Sequence, residues 1–379
     1  MSESTSAAES TAGSAKTGPV GVGVIGAGNI STQYLTNLTS FPDVDVRFVA
    51  DIIPEAAAAQ AEKFGIPAHG STEELLADPE IEIVVNLTLP RVHAEVDLQV
   101  LAAGKHVWSE KPIALDRESG QRVLATARAA GLRAACAPDT FLGAGIQTAR
   151  RMLEAGAIGE PQTALTIIQN PGPESWHPNP AFLFQEGAGP LFDIGPYYVT
   201  TLIQLFGPVK RVAAVASKAK PVRTIGSGPL AGQTFEVTVP THVTAVFEFE
   251  SGQTSQSIFS FDSKLGRTLF EVTGVDGALE LNDPNMFVGD LVLHTDGEPE
   301  TITIEGEKSA RGTGVVELAR AIRAGVPERA SGEQALHALD VMVSTIEAAE
   351  RGEWVDVEST FTPTPALPEG WDPAEATLV

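Results

Sequence analysis

Gly21-Val22-Gly23-Val24-Ile25-Gly26-Ala27-Gly28-Asn29-Ile30-Ser31 is the stretch that decides the fold. Pro19 to Ala27 is apolar with small glycines and reads as a strand. The chain then turns through Gly26 to Ser31 and enters a helix-like segment, Gln33 to Leu38. Strand, glycine turn and helix in that order suit a pyrophosphate. Gly26 allows the tight turn, Gly28 lets the backbone come close, and the helix N-terminus, with Asn29 and Ile30 at its mouth, stabilises the anion. Ser31 stands where a third glycine is usual, and a small side chain there still permits helix–strand packing.

A second strand, Val44 to Ala50, ends at Asp51. A carboxylate at that place would bond the adenosine ribose hydroxyls and repel a 2′-phosphate. Ile52, Ile53 and Pro54 follow it, with no arginine, so the expected cofactor is NAD and NADP is disfavoured. Further strands are expected at Ile81 to Leu87, His106 to Ser109 and Leu132 to Ala137, alternating with helices at Ala56 to Phe64, Glu73 to Ala77, Val92 to Ala103 and Asp116 to Ala130. Alternation of this kind is the doubly wound α/β pattern, a parallel sheet with helices on both faces.

After Gly159-Glu160-Pro161 the character changes. Thr163 to Gln169, Val209 to Val215, Thr241 to Glu250, Thr254 to Phe261, Leu269 to Val275 and Ala278 to Leu281 read as strands of one antiparallel sheet. Helices are expected at about Leu191 to Phe206, Val315 to Ala324 and Gly332 to Glu350. The expected organisation is a disordered tail over 1–18, a nucleotide-binding α/β domain over 19–140, an α+β domain for substrate and oligomer contacts over 141–361, and an irregular tail over 362–379.

Bulk properties narrow the function. A net charge of −24 gives little affinity for nucleic acid or an anionic membrane without a concentrated basic patch. The densest basic stretch, Lys210 to Arg223, reads as a solvated strand face. The lone Cys136 excludes an internal disulfide and a cysteine-based metal site, and its alanine neighbours suggest a buried strand end. No apolar run approaches the ~20 residues of a membrane span, and residues 1–18 lack the pattern of a secretion signal, so the expected location is cytoplasmic.

Loops at the carboxyl ends of parallel strands line the ligand crevice. Leu87-Thr88-Leu89-Pro90-Arg91-Val92-His93 is one such loop, with Thr88 and Pro90 expected beside the nicotinamide half and His93 a candidate from the next helix. Ser109-Glu110-Lys111-Pro112 is the next. Cis peptides are accessible before proline, and a cis bond here would aim Lys111 inward. A lysine withdrawn from bulk water has its pKa lowered toward neutrality, where it exchanges a proton with a substrate hydroxyl.

Thr88-Leu89-Pro90-Arg91-Val92-His93 together with Ala102-Ala103-Gly104-Lys105-His106-Val107-Trp108-Ser109-Glu110-Lys111-Pro112 closely resembles the Gfo/Idh/MocA oxidoreductases. Gly156-Ala157-Ile158-Gly159 and Gly274-Val275-Asp276-Gly277 extend the resemblance, from Val20 to about Val357. It implies a Rossmann domain followed by a large, open, mostly antiparallel sheet. It also implies sugars, polyols or their derivatives as substrates, and a homodimer or homotetramer built through that sheet. Many relatives carry Asp-x-Gly-x-His in the second domain. Here Asp193 and Gly195 match, and Tyr197 stands at the histidine place, as in glucose-fructose oxidoreductase. Asp193 and Tyr197, four apart, would share a helix face near Lys111. Thr200 stands where relatives have a later aspartate, and Asp139-Thr140 with Gln147 replace an Asn…Arg signature.

The resulting expectation is hydride exchange between nicotinamide and a secondary alcohol or ketone. Lys111 is the expected acid/base, with Tyr197 bonding or relaying the proton and Asp193 orienting Lys111 or the substrate. Trp176 and His177 are candidate sugar contacts, since an aromatic face stacks on apolar ring faces. Alternatives are an NAD-retaining, glycosidase-like enzyme using transient oxidation, and a non-catalytic NAD-binding regulator. The combination of Lys111, Asp193 and Tyr197 argues against the regulator.

Overall fold

The computed structural model describes residues 17–306 and 308–378, so nearly all of the expected 1–18 tail lies outside the described residues. The first sheet is built from β1 (Val20–Ile25), β2 (Val44–Ala50), β3 (Ala68–Gly70), β4 (Ile83–Asn86), β5 (His106–Ser109) and β6 (Ala134–Cys136). Between and after them run α1 (Ser31–Leu38), α2 (Pro54–Phe64), α3 (Thr72–Ala77), α4 (His93–Ala102), α5 (Arg117–Ala130) and α6 (Ala144–Glu154). The strands lie in the order β3-β2-β1-β4-β5-β6 and every pairing is parallel. Val20, Val22 and Val24 of β1 are all fully buried, as a strand covered on both faces requires. The chain winds outward through β3 and returns to β4, so the order reverses between β1 and β4. Ligands of such sheets bind at that reversal, outside the carboxyl ends of the strands.

Local signals explain the helix starts. Ser71 accepts from the Glu74 amide and Glu74 reaches back to the Ser71 amide, a reciprocal cap. Asp116 caps α5 through the Ser119 amide.

The second sheet holds nine strands: β7 (Pro161–Gln169), β8 (Val209–Ser217), β11 (His242–Phe249), β12 (Thr254–Ser260), β13 (Arg267–Gly274), β14 (Ala278–Glu280), β15 (Leu291–His294), β16 (Glu300–Ile302) and β17 (Val355–Asp356). A separate ribbon pairs β9 (Val222–Thr224) with β10 (Thr234–Glu236). The sheet order is β16-β15-β14-β13-β7-β12-β11-β8-β17. The sheet is mostly antiparallel, as expected; the exception is β7 and β12, parallel neighbours because a long excursion separates them in sequence.

The helix expected over Leu191 to Phe206 is two helices, α7 (Gly189–Asp193) and α8 (Gly195–Phe206). Pro196 stands in the first turn of α8, where its missing N–H costs nothing, and so marks a start. The last two helices are α9 (Thr313–Ala324) and α10 (Gly332–Arg351), the latter capped by Ser331 on the Gln334 amide. α10 packs on β8, α8 and α5, so the inner face of the large sheet and one flank of the first sheet share a continuous core.

α9 and the chain's late residues return to the first sheet. Val315, Val316, Leu318 and Ala319 pack in one cluster with Val20, Val22, Tyr34 and Trp108, and Leu367 and Trp371 join it. The close approach depends on a glycine: a Cβ on Gly314 would lie 2.0 Å from the Trp108 ring. At the far end Asp43, fully buried, accepts from Arg320 and from Thr377 and Leu378.

Candidate active site

The glycine turn sits at the β1/β4 reversal. Gly26 has φ +103°, and a Cβ there would lie 2.7 Å from the Leu87 carbonyl oxygen, so only glycine lets the β1 and β4 loops close together. A Cβ on Gly28 meets nothing within 4 Å, which leaves that backbone open to a ligand. The amides of Gly28, Asn29 and Ile30 donate to no group among the described residues, while Ser31 turns its hydroxyl back to the Gly28 carbonyl. Unpaired donors at the mouth of α1 fit a pyrophosphate. Asp51 accepts from the Ala27 and Ile53 amides, which fixes its carboxylate beside this turn. Ile52 beyond it is 95% exposed.

The next two loops are held from below. Asn86 donates to the Asp97 carboxyl and to the His93 carbonyl, and accepts from the amide and hydroxyl of Thr88. His93 is buried, with Nδ1 2.7 Å from the Pro112 carbonyl and Nε2 3.0 Å from the Thr88 carbonyl. Both ring nitrogens of this candidate cofactor contact face loop backbone, so His93 ties the Thr88 loop to the Lys111 loop. Burial lowers its pKa, against the pull of those two carbonyls. Pro90 opens a single 3₁₀ turn at the tip of the Thr88 loop.

Glu110 accepts from the Tyr34 hydroxyl at 2.7 Å and from the Lys111 amide at 3.0 Å, and Tyr34 in turn accepts from the Trp108 indole. The Lys111–Pro112 bond is cis, as is Ala137–Pro138. Lys111 Nζ donates to the Asp193 carbonyl at 2.6 Å and to Asp193 Oδ1 at 3.1 Å. It also lies 5.1 Å from the centre of the Tyr197 ring. Asp193 ends α7 and Tyr197 stands in the first turn of α8, so the two converge on Lys111 across a helix break and not along one face.

Arg311 faces Tyr197 as well, 5.1 Å from the ring centre, and donates to its hydroxyl at 3.2 Å. Arg311 also donates to Asn285 and lies 3.6 Å from Asp139. The sequence reading missed Arg311, Asn285 and Tyr34. Asp139, noticed only as a departure, is fully buried and accepts from the Gly312 and Gly314 amides.

The electrostatics correct the expected lysine. Burial alone would lower the Lys111 pKa, but Tyr197, Asp193 and Glu110 carry it above the ordinary lysine value. Burial raises the Tyr197 pKa despite Lys111 and Arg311. The phenol is therefore un-ionised at neutral pH, and the carboxylates Asp193 and Glu110 hold the Lys111 charge. An ammonium has three N–H groups, and two are spent on Asp193.

Trp176 and His177 lie in the loop after β7, stacked edge-on with Phe182 in a chain of ring contacts. Trp176 is 67% exposed. None of their hydrogen bonds or ring contacts reaches Lys111, Asp193 or Tyr197. Part of the basic stretch also needs correction: Arg223 is buried and paired with Glu174 and Asp262, while Lys218 and Lys220 are exposed. Among the described residues no helix is long and apolar enough to cross a membrane, and no group of three or more His, Cys, Asp or Glu could hold a metal ion.

Two family models match in succession: the NAD-binding Rossmann fold of the Gfo/Idh/MocA oxidoreductase family over residues 20–137, and the C-terminal domain of the same family over residues 146–280. The chain belongs to this family. It is an oxidoreductase, and its α/β architecture is the one that the resemblance implied. Among curated relatives, trans-1,2-dihydrobenzene-1,2-diol dehydrogenase of Bos taurus is 28% identical, over 72% of this chain and 76% of that protein. 1,5-Anhydro-D-fructose reductase of Ensifer adhaerens is 26% identical over 89% and 98%. Levoglucosan dehydrogenase in complex with NADH and L-sorbose shares the fold with a TM-score of 0.77, at 22% identity over 90% of this chain and all of that one.

Proposed function

We propose that this oxidoreductase transfers hydride between NAD and a secondary alcohol or ketone of a sugar, polyol or related cyclic diol. The observation that carries the reading is Lys111 Nζ, held by Asp193 and laid against Tyr197, at the same carboxyl edge of the first sheet as the open glycine turn. Gly28, Asn29 and Ile30 would hold the pyrophosphate, Asp51 the ribose hydroxyls, and the Thr88–Pro90 and Glu110–Lys111 loops the nicotinamide end. NAD supplies the hydride acceptor or donor. Asp51, followed by Ile52 and Ile53 and not by a cation, supports NAD over NADP.

The third N–H of Lys111 binds the reacting oxygen. On reduction the ammonium supplies the proton through the phenol of Tyr197; on oxidation the same pair removes it. Because Lys111 rests charged, reduction proceeds across neutral pH, whereas oxidation accelerates as pH rises. Asp193 keeps the ammonium aimed. Trp176 and His177 supply an aromatic platform at the outer rim of the crevice. A second copy covers the open face of the large sheet, where Val215, Thr244, Ile258, Ile167 and Leu269 form a cross-strand row with Val215 72% exposed. The test is NADH formation by the purified protein over a panel of sugars, polyols and cyclic diols. Turnover with at least one is expected, and absence of both NAD binding and turnover across the panel overturns the reading.

A further inference from the structure

Arg311 has no task in the mechanism so far, yet it is built in with care. It precedes α9 at a position where the backbone is pinned on three sides. Its own carbonyl accepts from Asn37 on α1, the Gly312 amide donates to Asp139, and the Ala310 amide donates to Thr313. The guanidinium is sandwiched against Asp139, Asn285 and the rings of Phe287 and Tyr197. Tyr197 therefore carries two cations, Lys111 and Arg311, each 5.1 Å from its ring centre. The charged and titratable groups facing or bordering the phenol are Lys111, Asp193, Glu110, Arg311 and Asp139.

A hydroxyl has one proton and can accept as well as donate. Arg311 cannot accept, so its contact uses an acceptor position of the phenolic oxygen. The phenolic proton itself is donated to no group among the described residues.

We infer that Arg311 is a positioning residue for Tyr197: by donating to the phenolic oxygen it leaves the phenol's own proton aimed at the substrate oxygen held by Lys111. The inference rests on the hydride-transfer reading. In reduction, as the carbonyl carbon takes hydride, the phenolic O–H bond breaks and a new O–H bond forms on the substrate oxygen. The phenolate left behind lies between two cations and recovers a proton from the Lys111 ammonium, which recovers its own from solvent. Oxidation runs the same transfers backward.

The experiment is a double-mutant cycle on R311Q and Y197F, read as kcat, KM and the pH profile of kcat/KM for oxidation of the best panel substrate. R311Q is expected to lower kcat by about 30-fold, less than the roughly 10²–10⁴-fold of a whole acid/base group because Tyr197 itself remains. It also moves the acidic limb to higher pH by about one unit, because a neighbouring cation no longer favours the phenolate. In the Y197F background R311Q has no further effect. An equal loss with and without Tyr197, or an unmoved acidic limb, overturns the inference. Should R311Q fail to fold, with Asp139 buried and uncompensated, R311K retains the charge without the planar fork. It is then expected to lose about tenfold in kcat, again only when Tyr197 is present, and the same loss in Y197F overturns the inference. K111A separates the two levels: turnover that survives K111A overturns the hydride-transfer mechanism itself, whatever Arg311 does.

Discussion

Two regions of the molecule use nearly the same parts. Around Lys111 a cation meets an aromatic ring and carboxylates: Tyr197, Asp193 and Glu110. Around Arg223 a cation also meets an aromatic ring and two carboxylates: Phe184, Glu174 and Asp262. The Arg223 side chain is 3% exposed and spends its terminal nitrogens on Pro171, Glu174, Phe261 and Asp262. The Lys111 side chain is 15% exposed, gives two bonds to one residue and keeps a third donor. Arg223 Nε has no partner among the described residues, but it is enclosed, so this cluster is an anchor, here for the loop that carries Trp176. A cluster with one donor left toward a crevice can do chemistry. Composition does not separate the two; the access of the remaining donor does.

The largest effect expected from that contrast is on turnover. K111A should lower kcat by about 10³-fold or more, with NAD affinity and melting temperature little changed. Steady-state kinetics beside a thermal melt checks it, and a large loss of stability would erase the distinction. R223A is the mirror experiment. Removing one partner of a buried ion pair costs roughly 3–5 kcal/mol because the remaining charges stay buried. Denaturant unfolding should show that loss, and substrate KM should rise more than kcat falls.

A third test concerns a buried carboxyl with no cation at all. Burial raises the Asp97 pKa from 3.8 to about 7, against its bond from Asn86. The folded state then holds its proton more tightly than the unfolded chain, so stability is lost as pH rises from about 4 through 7 and stays low above. D97N should be neutral near pH 4 and stabilising by about 4 kcal/mol at pH 8. Parallel urea titrations at the two pH values check this, and a pH-independent difference would show that Asp97 is not protonated in the fold.

The smallest expected effect has the opposite sign. His337 is buried, accepts from the Val209 amide, and burial lowers its pKa to about 4. Stability from this neutral imidazole is full above pH 6.5 and is lost as pH falls toward 4. H337Q should remove about 2 kcal/mol of that acid sensitivity, measured as unfolding free energy between pH 7 and 4.5.

The crevice was legible where chemistry sits in short, ordered runs. The glycine turn, Asp51, the Thr88 loop and Lys111 each follow a strand of a parallel sheet, and such loops must meet at one edge. Asp193 and Tyr197 were legible from their motif, although the break at Ile194 was hidden behind a continuous apolar pattern. Arg311 was not legible, because it sits in an irregular stretch with no periodicity and reaches Tyr197 across 114 positions. Arg223 was misread for a related reason: its neighbours Lys218 and Lys220 are solvated, and only the ribbon's fold onto the Glu174 loop turns Arg223 inward. The Lys111 pKa was misjudged in sign. Sequence gives burial, but the groups that outweigh it, Tyr197 and Asp193 with Glu110, come from distant parts of the chain.

The return of α9 and residues 367–378 to the first sheet sets the order in which this protein can be completed during synthesis. β1 to β6 leave the ribosome early, yet the surface around Trp108 and Tyr34 stays uncovered until residues past 313 have emerged. Buried Asp43 waits longer still, for partners at 377 and 378. The pyrophosphate turn can thus form long before the fold that supports it closes. Contacts this distant in sequence slow folding, and the nascent first half exposes apolar surface that a chaperone would have to cover.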